Sequence, residues 1–73
     1  MDKFVVVIAE SEHGELTQAS LECVEEGREV ADQLGAQVHT ILCGNEVTPL
    51  AATLAAHGAD RVTVVEHEAL AQF

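Results

Sequence analysis

The hydrophobic and polar positions along the chain change period several times, and each change marks an element. Phe4-Val5-Val6-Val7-Ile8-Ala9 is an unbroken apolar run, rich in β-branched residues and bounded by polar ones, the pattern of a strand buried on both faces. Residues 10–15 then mix Ser11, His13 and Gly14 with Glu10, Glu12 and Glu15, which predicts a loop leading to a helix capped by Thr17 or a neighbour. Over 18–34, Ser20, Cys23, Val24, Gly27, Val30, Ala31 and Leu34 recur at steps of three and four, the period of one helix face. The opposite side carries Glu22, Glu25, Glu26, Glu29 and Asp32, so the predicted helix is amphipathic with an acidic outer side. Gly35 stands where a left-handed cap would stop it. Gly27 costs up to about 1 kcal/mol relative to Ala inside a helix, and its place on the inner face predicts a close approach to a strand.

A second strand is predicted over 37–43, ended by Gly44-Asn45. Thr48-Pro49 then opens a second helix, with a cap residue followed by Pro at the first position; it runs through Leu50, Ala51, Leu54 and Ala55 to His57 and stops at Gly58. Val62-Thr63-Val64-Val65 predicts a third strand, and residues 68–73 the beginning of a third helix. Strands alternating with helical crossovers are parallel and connected right-handedly. The fold class expected is therefore α/β, a three-layer, Rossmann-like parallel sheet of which residues 1–73 form an incomplete βαβαβ portion. If the strands lie in the order 1-2-3, handedness puts both helices on one face. Phe4, Val6 and Ile8 then point away from Val5 and Val7, and an apolar sheet face is left for later helices of a longer domain, or for a partner, to cover. The element begun at 68–73 favours the longer domain.

Composition narrows the picture. A chain of 73 residues buries only about 60% of its unfolded surface. With 48% apolar residues but two Phe and no Tyr or Trp, its core must be built from Val, Leu, Ile and Ala. Thirteen acidic residues against three basic ones give a net charge of −10, a field that repels phosphate backbones and anionic headgroups and so argues against nucleic acid and membrane partners. No apolar run approaches the roughly 18 residues of a bilayer span, and Met1-Asp2-Lys3-Phe4 lacks a basic signal region, which makes the expected location cytoplasmic. Cys23 and Cys43 lack Cys-x-x-Cys spacing and suit small buried hydrophobes better than a disulfide or metal knuckle.

Ligands of open α/β sheets bind at the carboxyl ends of the strands, here residues 9–12, 43–45 and Glu66-His67. Ser11, Gly44 and Asn45 can hydrogen-bond an adenosine, so a small adenine-nucleotide-binding α/β module is the alternative function; ordinary loop residues are the plainer reading. A dinucleotide loop needs Gly-x-Gly-x-x-Gly, whereas 10–15 offers one glycine and three glutamates, which oppose a phosphate. His13, His39, His57 and His67 lack the spacing of a zinc helix; His67 between Glu66 and Glu68 fits a solvated cluster better than a metal site. His57, in the last turn of its helix, complements the dipole. Cys23, Cys43, Ser11 and Ser20 have no His or Lys activator in sequence reach. No catalytic, cofactor-binding or metal residue is therefore assigned. The acidic helix side from Glu22 to Asp32 suits solvent better than a basic partner; a third functional reading is an acidic interaction module without a ligand, whose partner covers the apolar face.

The residues also resemble a family. The opening strand with its trailing glutamate, Val6-Val7-Ile8-Ala9-Glu10, is similar to the start of electron transfer flavoprotein alpha subunits, as is Gly14-Glu15-Leu16-Thr17-Gln18-Ala19-Ser20-Leu21-Glu22. Ala31-Asp32-Gln33-Leu34-Gly35, Gly44, and Leu54-Ala55-Ala56-His57-Gly58-Ala59-Asp60-Arg61-Val62 follow in register. The resemblance covers nearly the whole chain, and its order and spacing are more specific than any one piece. It implies that residues 1–73 are the N-terminal part of the alpha subunit's α/β domain. This is a scaffold segment, not an enzyme, of an assembly that pairs with a beta subunit and shuttles electrons from dehydrogenases via FAD. The alpha subunit's flavin motifs belong to a later domain, so no FAD residue carries over to this chain. An AMP held by the beta subunit in many members does not carry over either.

Overall fold

The computed structural model describes residues 3–66. Strand β1 spans Phe4–Glu12, β2 Glu15–Leu16, helix α1 Gln18–Leu34 and β3 Gln37–Gly44; a 3-10 turn at Thr48–Leu50 leads into helix α2, Ala51–Ala56, and β4 spans Arg61–Glu66. The helix begun at 68–73 in the sequence pattern lies outside the described residues. The sheet order is β2-β1-β3-β4. β1 pairs β3 in parallel from Phe4↔Gln37 to Glu10↔Cys43, and β3 pairs β4 in parallel from His39↔Arg61 to Gly44↔Glu66. The α/β class and the 1-2-3 order of the parallel strands hold, but the sheet is mixed. β1 runs past Ala9 to Glu12, and the expected loop over 10–15 is instead a hairpin whose strand β2 pairs antiparallel, Ser11↔Leu16 and Glu12↔Glu15. The two residues between, His13 at φ 52° and Gly14 at φ 80°, are both left-handed, as the tightest hairpin turns require.

α1 forms where its small residues allow it to sit down on the sheet. Thr17 caps it, with Oγ1 accepting the Ser20 N–H at 3.1 Å, and Gly35 ends it at φ 67°. The buried stripe is Ser20, Val24, Gly27 and Ala31, one small or medium residue per turn. A Cβ on Gly27 would stand 3.0 Å from Val7 Cγ2, so glycine here sets the depth at which helix and strand pack. The stripe is narrower than the sequence pattern suggests. Cys23 is exposed, and Val30 and Leu34 are 47% and 55% exposed, because among the described residues no strand lies beyond the main length of β1 for that flank to cover. Cys43 is only half-buried, on the open side of β3. Neither cysteine is the buried hydrophobe that composition suggested.

Both helices pack on the face carrying Val7, Ala9, Val38 and Leu42, which with Val24, Ala31, Ala36, Val47, Leu54 and Ala59 make the core. Leu42 and Leu54 are its largest members. Thr40 is fully buried on the same face, and its Oγ1 finds no hydrogen-bond partner.

Polar groups hold the element ends in place. Ser20 Oγ accepts the Glu10 N–H at 2.8 Å and the Thr17 hydroxyl at 2.8 Å, tying the start of α1 to β1. Arg28 donates from Nη1 to Asp60 Oδ2 at 2.7 Å and to the Gly58 carbonyl at 3.2 Å, from Nη2 to the Ala36 carbonyl at 3.3 Å, and from Nε to Asp32 Oδ1 at 3.0 Å. Asp60 Oδ2 also accepts the Val38 N–H at 2.8 Å. One guanidinium and one carboxylate thus join α1, the end of α2 and the start of β3. The Val38 N–H, followed by Arg28, holds the Asp60 carboxyl below its ordinary value.

Two outcomes are expected. Replacing Thr40→Val removes a buried unsatisfied hydroxyl at nearly constant shape and should raise stability in urea by about 1 kcal/mol; a loss would show that the hydroxyl is satisfied. Because the folded-state carboxyl of Asp60 is depressed, its stabilisation is present above the ordinary carboxylate value and is lost as pH falls through the folded one. The chain should accordingly lose stability on acidification below about pH 4 more steeply than Asp60→Asn, as followed by circular dichroism against pH.

Candidate functional site

The carboxyl ends of β1, β3 and β4 form the rim where an open α/β sheet would hold a ligand. Topology does bring the expected residues together there. Ser11 and Gly44 are neighbours, since a Cβ on Gly44 would meet Ser11 Oγ at 3.3 Å, and Glu66 pairs Gly44 in the sheet register. Asn45 follows as an exposed residue; His67 lies outside the described residues.

The chain's own groups fill this rim. Val47, 1% exposed, turns back so closely that a Cβ on Gly44 would stand 2.6 Å from its Cγ1. Thr48 does not cap the second helix as its place before Pro49 suggested. No side chain caps the 3-10 turn or α2, and the Thr48 hydroxyl instead donates to Glu66 Oε1 while its N–H reaches Oε2 at 3.4 Å. These bonds, the hydroxyl first, hold the Glu66 carboxyl below its ordinary value. A resident carboxylate therefore sits where the start of this helical segment would otherwise meet a phosphate. At the other crossover, the hairpin replaces the loop that a dinucleotide would need, and Glu10 and Glu12 stand at the end of β1. Sequence reasoning missed both devices. The His13-Gly14 pair between residues of alternating polarity was the available signal for the hairpin; nothing in the local sequence announced the Glu66–Thr48 pairing, which spans 18 residues.

The remaining candidates are dispersed. His57 Nδ1 lies 3.3 Å from Glu25 Oε2, joining α2 to α1. His39 Nε2 and Thr63 Oγ1 are 2.7 Å apart on the open sheet face. Among the described residues no three His, Cys, Asp or Glu side chains converge as a metal site, and no helix is long and apolar enough to cross a membrane. An open groove of about 360 Å³ runs along the edge of β1, between Val5–Ile8 and the α1 flank formed by Cys23, Glu26, Gly27 and Val30. It offers apolar contact and one carboxylate, without converging hydrogen-bond donors.

The family model described as "Electron transfer flavoprotein domain" matches residues 5–73. The chain belongs to that family. It is 39% identical over 71 residues to an electron transfer flavoprotein subunit alpha of Clostridium acetobutylicum, a match covering 97% of this chain and 21% of the relative. It is 41% identical over 71 residues to the subunit alpha of Megasphaera elsdenii, with the same coverage. It is 39% identical over 64 residues to an acryloyl-CoA reductase electron transfer subunit beta of Anaerotignum propionicum, covering 88% of this chain and 17% of that one. The chain thus spans about a fifth of the length of the curated relatives it matches. Val47, the Glu66–Thr48 pair and the hairpin occupy the rim in this structure. The family match does not favour the adenine-nucleotide reading.

Calorimetry with AMP or ATP at millimolar concentration should therefore give no binding heat. A saturable isotherm would restore the nucleotide reading.

Proposed function

We propose that this chain is the N-terminal scaffold segment of an electron transfer flavoprotein alpha subunit. In this reading residues 1–73 are part of one larger α/β domain, and the assembled protein, with a beta subunit, carries electrons from dehydrogenases through an FAD bound outside this segment. The observation that carries the proposal is a family match over 5–73, joined to a sheet that leaves one apolar face open and its ligand rim filled by its own side chains. A flavin performs the redox chemistry by itself, and the protein's part is to position it and to present docking surfaces. A segment that supplies sheet and surface needs no acid, base or nucleophile. The segment is an electron-carrier component without an active site of its own, and any AMP belongs to the beta subunit. The three relatives named above are all electron transfer subunits by name. With its acidic surface and no helix among the described residues able to span a bilayer, the parent protein is assigned to the cytoplasm, away from nucleic acid.

The test is a flavin titration. The purified chain should leave FAD fluorescence unchanged, while an alpha subunit that carries this segment in place of its own should bind FAD with the beta subunit. Stoichiometric flavin binding by the chain alone would overturn the scaffold assignment.

A further inference from the structure

We draw no further inference here: the strongest candidate, the lateral groove between β1 and the α1 flank of Cys23, Glu26, Gly27 and Val30, is an unpartnered apolar surface, and nothing in the structure shows what covers it.

Discussion

Two right-handed crossovers taken in the same direction across a sheet put both helices on one side of it, and the rest of this structure follows from that constraint. The core has a single layer of depth, filled by Val, Ala and two large Leu side chains. β1 has apolar residues on both faces, but only Val5, Val7 and Ala9 lie toward the helices. The other half of its apolar surface, Phe4, Val6 and Ile8, stays open among the described residues.

Within that constraint, close approach is what makes a thin core hold. Gly27 lets α1 descend onto Val7, and the stripe of Ser20, Val24, Gly27 and Ala31 repeats small volumes along the contact. Small contacts bury little area, so fixed points at the ends of the elements matter more. Ser20 ties the start of α1 to Glu10, and Arg28 with Asp60 ties its later turns to α2 and β3. These groups are at or near the surface, where each pair alone contributes modestly. Their value lies in joining three elements at one place. The same economy explains the rim, where the Glu66 carboxylate accepts the Thr48 N–H.

On the scaffold reading proposed above, what these residues offer is a mixed sheet, an acidic outer helix side, a lateral groove beside β1 and an open apolar face. An acidic surface also limits unwanted association while leaving apolar contact to be made where the charge is sparse.

The sequence by itself determined the elements that local rules govern. The β-branched run at 4–9, the helix over Gln18–Leu34 with its Thr17 and Gly35 ends, the parallel order of the three main strands and the close approach at Gly27 all follow from period, caps and handedness. The family resemblance was equally legible, because it rests on short pieces in fixed order. The tertiary structure alone decided which residues of an apolar stripe are covered. Cys23, Val30 and Leu34 share the helical period of Val24 and Ala31 but hang past β1, since burial depends on whether a strand lies beneath and not on spacing along the helix. It also decided the fate of Glu66, Asp60 and Arg28. The pairs Glu66–Thr48, Asp60–Val38 and Arg28–Asp60 are 18 to 32 residues apart, and no local pattern encodes a hydrogen bond closed by the fold. Arg61 is the reverse case: the fold places it on the open face, where it makes no ion pair or side-chain hydrogen bond among the described residues.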